Sequence, residues 1–295
     1  MFNEEEERKK WELSKEQFNK NMNEIFSQLA LEVNKTVKPS FIIVGGQAGS
    51  GKSVLVAKEN QDLREHAIII DQDELRTKFP QSKYKQIHDK YTEREEFLIL
   101  KPYISSAIIA LNSKAQQNGY SIILESALRS VKSFVNLIKE NKENGYSTKL
   151  SVLAVPEVEA NISMLTRYCY YLKKDGECRR NTRLDHSSVQ KLKENLQILD
   201  KSDLLDDITI SIRGKDYNTL PKQIYSRNSS KLTPLQAYEE GQSLSLTDTQ
   251  KNFYGKYKEI KEILEKYNEV AQLEKLNIIK EAYEKGTERG GRYEG

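Results

Sequence analysis

The chain reads as an α/β fold: a parallel sheet flanked by helices, with an N-terminal helix and a C-terminal helical extension. Three observations predict it. From Pro39 to Ile212, short apolar runs alternate with amphipathic stretches, the pattern of strands joined by helical crossovers and covered on both faces. Phe41-Ile-Ile-Val44 runs through a glycine-rich turn directly into the helical stretch that starts at Lys52. Gly119 and Gly145 each stand just past a helical stretch, where a left-handed C-terminal residue belongs.

Taken in order, residues 1–36 form an N-terminal helical segment. Ser14 and Gln17 have capping-box spacing, and Phe18, Met22, Ile25, Phe26 and Leu29 make one helical stripe that suits packing on a core or docking a regulator. Residues 37–212 form the central domain. Its predicted strands are Phe41–Val44, Ala67–Ile70, Ser121–Leu124, Leu150–Val155 and Ile208–Ile212. Its predicted helices are Lys52–Asn60, Tyr84–Leu100, Tyr103–Asn118, Val131–Asn144, Val158–Leu172 and Ser187–Lys201. Residues 213–295 read as a linker and a C-terminal helical extension. The polar stretch 213–246 carries loop signals at Ser226–Ser230 and Thr233-Pro234. A helical stripe then returns through Phe253, Tyr257, Ile260, Leu264, Tyr267 and Val270, as one long helix or a hairpin. The glycine-rich Gly286–Gly295 is expected to be disordered.

Composition excludes several classes. With 47 basic and 44 acidic residues among 295, the net charge is only +3, which gives no electrostatic footprint for nucleic acid. No apolar run approaches the 18 or so residues of a membrane span, and the charged stretch Glu4–Lys10 is no secretory signal. The cysteines, Cys169 and Cys178, lie outside any metal-ligand spacing and suit a reducing, cytoplasmic compartment.

The chemistry centres on Gly46-Gln47-Ala48-Gly49-Ser50-Gly51-Lys52-Ser53, which reads G-x-x-x-x-G-K-S. A strand turning sharply into a helix points backbone N–H groups at one spot, where the helix dipole also favours negative charge. Glycines let that backbone close on phosphate oxygens, Lys52 reaches the outer phosphates, and the Ser53 hydroxyl is placed to ligate Mg²⁺. The expectation is a bound nucleoside triphosphate.

Ligands on such sheets bind beyond the carboxyl ends of the strands, so the polar residues there are the next candidates. The second strand runs into Asp71-Gln-Asp73. Asp73 is either a general base for a substrate hydroxyl or the N-cap of the helix that follows. Glu125 closes the third strand, where it can hold Mg²⁺ through water, bind substrate or pair with Arg129. Arg167, and Arg179, Arg180 and Arg183 beyond it, suit bidentate contacts to phosphate oxygens or a solvated basic loop. His66, His88 and His186 show no ligand spacing.

Together these pieces resemble the zeta toxins, kinase toxins of bacterial toxin–antitoxin systems. The resemblance runs from about Leu13 to Ile212 through Ile70-Asp-Gln-Asp73, Gly119-Tyr120, Ile123-Leu-Glu125, Gly145-Tyr146, Ala154-Val-Pro156, Thr166-Arg-Tyr168 and Arg180-Asn-Thr182. It implies a P-loop kinase fold that uses ATP and Mg²⁺ to phosphorylate a sugar hydroxyl of UDP-N-acetylglucosamine. A small helical antitoxin covering the ATP site is implied as partner. By the same resemblance Asp73 is the general base, and Lys52, Arg167 and Arg180 act on the transferring phosphoryl group. Glu125, Arg129, Asp73 and Arg167 line the acceptor side. The chain departs from the family pattern at Ile109, where a glutamate is expected, and at Leu137, where a threonine is. It departs again at Ser126-Ala-Leu-Arg129, where Gly-Thr-Gly-Arg is expected. All three fall on the acceptor side, which admits another nucleotide sugar, a dinucleotide, or a regulatory module that binds nucleotide with little turnover.

Overall fold

A computed structural model describes residues 2–64, 66–176, 178, 186–214, 219–250 and 253–290. Two helices, α1 (Glu4–Trp11) and α2 (Lys15–Leu29), precede the first strand. The Ser14–Gln17 capping box starts α2. Its stripe buries Met22 and Ile25 in the main core, so the segment packs on the domain.

Six strands follow: β1 (Ser40–Gly45), β2 (Ala67–Asp71), β3 (Ser121–Ser126), β4 (Ser147–Ala154), β5 (Asp207–Ile212) and β6 (Lys222–Ser226). They lie in the order β2-β3-β1-β4-β5-β6. The pairs from β2 to β5 are parallel, and β6 adds an antiparallel edge. The expected linker after Ile212 is therefore partly sheet. Lys222–Ser226 is short and polar, so its strand state depends on the ladder that β5 offers. Near-continuous apolar runs fill both faces of the central strands: Ile43 and Val44 on β1, Ile122 and Ile123 on β3, and Leu150 and Val152 on β4 are all buried.

The crossover helices are α3 (Lys52–Asp62), α4 (Gln72–Thr77), α5 (Gln81–Lys90), α6 (Glu93–Asn118), α7 (Val131–Glu143), α8 (Glu157–Asp175) and α9 (His186–Asp200). Gly119 and Gly145 adopt left-handed φ of 70° and 82°, as the C-terminal positions require. The expected helices Tyr84–Leu100 and Tyr103–Asn118 are divided differently. The break falls at Tyr91-Thr92, where Thr92 and Glu95 form a capping box, and α6 runs unbroken through Pro102. Proline at 102 cannot donate to the carbonyl of Leu98. Arg8 of α1 supplies that bond instead, its Nε donating to Leu98 O at 2.9 Å.

The C-terminal region holds α10 (Pro234–Gln250), α11 (Phe253–Lys266) and α12 (Val270–Gly290). Helix α10 packs on the sheet, with Tyr238 fully buried. Helices α11 and α12 form a hairpin that turns at Asn268, a residue tolerant of its φ of 57°. A separate core joins this hairpin to α8 through Ile162, Leu165, Tyr168, Phe253, Leu264 and Ile279. The disorder expected from Gly286 is corrected as far as Gly290, which α12 includes; 291–295 lie outside the described residues.

Candidate active site

The glycine-rich turn leaves the carboxyl end of β1, and Gly51 caps α3 with a left-handed φ of 90°. Gly49 also has positive φ, at 76°. A Cβ there would lie 2.1 Å from Ala160 O of α8, and one on Gly46 would lie 2.8 Å from Ser50 Oγ. The loop therefore closes as only glycine allows. The Gln47 amide donates to Val155 O at 3.1 Å, tying the loop to the end of β4. Ser50 Oγ is buried and has no hydrogen-bond partner. An orphaned hydroxyl within a cradle that a Cβ would fill fits a phosphate-bearing ligand.

Lys52 Nζ donates to Gln47 O at 3.2 Å and lies 3.8 Å from Glu125 Oε1. The pair follows from register: β1 and β3 align Val44 with Glu125, and β2 and β3 align Asp71 with Glu125. Burial pushes the Lys52 pKa down, against the pull of Glu125, Asp73 and Asp71, while Arg167 adds to the depression. Burial pushes the Glu125 carboxyl up; Lys52 opposes this, and Asp71 and Asp73 reinforce it. Lys52, Glu125, Asp71, Asp73 and Arg167 thus share one electrostatic environment.

The two readings of Asp73 separate here. The N-cap of α4 is Asp71, whose Oδ1 accepts from the N–H of Asp73 at 2.8 Å and of Glu74 at 3.3 Å. Asp73 sits in the first turn with an exposed carboxylate. Ser53 is exposed in the first turn of α3, and Arg167 is exposed on α8. The ion pair seen for Glu125 is with Lys52, across the strand ends; Arg129 is exposed in the loop between β3 and α7. Arg180, with Arg179 and Arg183, lies outside the described residues. No group of three or more His, Cys, Asp or Glu among the described residues forms a metal cage. A separate cleft of about 590 Å³ between α2 and Lys78–Lys83 contains none of these residues.

Two contributors were missing from the sequence reading. Arg213, immediately after β5, reaches the turn and donates to Gly49 O and Ser50 O. The strand-end rule that singled out Asp71 and Glu125 applies equally to this fifth strand, so its signal was present. Glu96 is buried on α6, accepts a hydrogen bond from Tyr84 and lies 3.4 Å from Arg76 Nε, anchoring α4. No sequence signal marks it.

A family model for the zeta toxins matches residues 23–228. The chain belongs to the zeta toxin family. Toxin zeta of Streptococcus pyogenes is 26% identical over 212 residues, covering 71% of each chain. Toxin zeta of Enterococcus hirae is 26% identical over 190 residues, covering 64% of this chain and 63% of its own. Toxin PezT of Streptococcus pneumoniae is 24% identical over 180 residues, covering 60% and 70%. A solved chain from the PezAT chromosomal toxin–antitoxin system of that pathogen superposes with a TM-score of 0.73 at 19% identity, over 86% of this chain and 98% of its own. That likeness supports the zeta toxin fold assigned to this chain.

The departures from the family pattern have distinct structural settings. Ile109 is 57% exposed on α6, whereas Leu137 is buried in the core. Leu128, standing where the family pattern has glycine, has φ of 51° and is fully buried. It packs so closely over β1 that a Cβ on Gly45 would lie 2.2 Å from its Cδ1. Packing and the bond from its N–H to Ser126 Oγ at 3.1 Å hold a conformation that leucine alone disfavours.

Proposed function

We propose that the chain is an ATP-dependent kinase toxin that phosphorylates a sugar hydroxyl of a nucleotide sugar, UDP-N-acetylglucosamine in the first instance. The observation that carries this reading is the placement of the largely enclosed Lys52 side chain against Glu125, with Asp71, Asp73 and Arg167 acting on the same charge. Phosphoryl transfer needs positioning, charge neutralisation and an oriented nucleophile, and these groups divide those tasks. The turn from Gly46 to Ser53 binds phosphates through its backbone, and Lys52 neutralises their outer oxygens. Asp73, freed from capping by Asp71, takes the proton of the acceptor hydroxyl. Arg167 and Arg180 stabilise negative charge on the equatorial oxygens. Mg²⁺, held through Ser53, would share the phosphate charge when bound. Glu125 and Arg129 orient the acceptor.

A second reading, a different nucleotide sugar or a dinucleotide as acceptor, is favoured by apolar Ile109, Leu137 and Ala127, which stand where the resemblance implies a glutamate and two threonines. A small helical antitoxin is the proposed partner, in keeping with the toxin–antitoxin system of the PezAT relative. No described helix is long and apolar enough to cross a membrane; the proposed site of action is the cytoplasm.

The test is to incubate the purified protein with Mg-ATP and a panel of UDP-sugars and dinucleotides, and to find by mass spectrometry which gains a phosphate. Lys52→Ala should abolish both that transfer and growth inhibition on expression. Growth inhibition that survives Lys52→Ala would rule the mechanism out.

A further inference from the structure

We propose that Arg213 is a positioning residue that clamps the phosphate-binding turn to α8, so that the turn and Arg167 keep one relative geometry. Its guanidinium makes four hydrogen bonds to two elements. Nε donates to Ser50 O at 3.1 Å and Nη2 to Gly49 O at 2.6 Å. Nη1 donates to Glu159 Oε1 at 2.7 Å and to Ser163 Oγ at 3.0 Å. Pairing with Glu159 alone would satisfy the charge. The two contacts to the turn exceed what a structural ion pair needs.

The spacing on α8 supplies the second half of the argument. Glu159, Ser163 and Arg167 are four residues apart and so lie along one side of the helix. Arg213 holds the first two, and the third acts electrostatically on Lys52 and Glu125. The turn itself rests on α8, since a Cβ on Gly49 would strike Ala160 O. Fixing the Ser50 carbonyl also fixes, across the same planar trans peptide, the opposite direction of the Gly51 N–H. A lysine could not bridge both elements, because it lacks the planar fork of donors.

This inference rests on the nucleotide-binding reading, and calorimetric titration with Mg-ATP and Mg-ADP tests the two separately. Arg213→Ala and Arg213→Lys should each weaken both nucleotides by about tenfold or more, the loss expected from a charge-assisted bond. They should also reduce the preference for ATP over ADP, and adding Arg167→Ala should then reduce that preference little further. The double variant Glu159→Ala/Ser163→Ala cuts only the α8 side. It should lose ATP preference while keeping ADP affinity, and it serves if Arg213→Ala does not fold. Arg213 variants that bind both nucleotides within about twofold of wild type, with the full Arg167 effect intact, would overturn the clamp alone. A wild-type protein that binds neither nucleotide would overturn both readings.

Discussion

Lys52 and Glu125 form an ion pair whose members are each held against their preferred charge state. Burial lowers the Lys52 pKa and raises that of Glu125, and each charge only partly offsets the desolvation of the other. The sign for Glu125 follows directly. A carboxyl with a raised pKa stabilises the fold most when protonated, below its ordinary 4.5, and that contribution is lost as pH rises through the folded value. Wild type should therefore gain stability relative to Glu125→Gln as pH falls from neutrality toward 4.5. Denaturant melts of both proteins at several pH values measure this, and a constant difference would contradict it. Asp73 is the other decisive residue. Asp73→Asn should lower phosphotransfer roughly 10²–10⁴-fold and leave Mg-ATP affinity within about twofold of wild type. A radiolabel transfer assay beside a binding titration separates the two quantities. Undiminished transfer would remove Asp73 from the base role.

At the scale of elements, α3 must hold its register for Lys52 to reach the site. Glu59, fully buried on α3, accepts from Lys149 Nζ of β4 at 2.8 and 3.0 Å and from Ser151 Oγ at 2.8 Å. Removing one partner of a buried pair strands the other, so Glu59→Ala should cost about 3 kcal/mol, the lower part of the usual range because Lys149 is partly exposed. Urea unfolding measures it. Glu59→Leu should recover part of the loss, since its side chain fills the buried volume that alanine leaves empty. The Thr92–Glu95 capping box starts α6 inside the expected helix Tyr84–Leu100, and Pro102 falls in the gap expected before Tyr103. The helix survives because Arg8, remote in sequence, satisfies the carbonyl of Leu98, and only the folded chain brings those residues together.

Across the whole molecule, the C-terminal hairpin packs against α8, the helix that carries Arg167. Phe253 stacks on Tyr283 with ring centroids 3.9 Å apart, and both face the α8 residues Ile162, Leu165 and Tyr168. Tyr168 OH donates to Glu269 Oε2 at 2.9 Å, next to Arg167 in sequence. Phe253→Ala should destabilise the protein by about 3–5 kcal/mol. Because α8 carries Arg167, it should also lower turnover before the sheet unfolds. Thermal melts paired with phosphotransfer at a temperature well below the transition would show this; full turnover in a destabilised variant would limit the hairpin to a packing role.

The sequence by itself determined the parallel sheet, the glycine-rich turn and the candidate carboxylates, because each depends on local rules. Apolar runs alternate, glycines permit one turn, and polar residues stand where strands end. Tertiary structure decided what local rules leave open. It gave the capping role to Asp71 and left Asp73 exposed, since the helix begins at Gln72, two residues earlier than a cap at Asp73 would set it. It brought Arg213 from the end of the fifth strand onto the turn after the first, across β4. It made a strand of polar Lys222–Ser226 by offering it a ladder. It buried Leu137 and Leu128 in the core. Those outcomes depend on register and packing between segments distant in sequence, which no local pattern encodes.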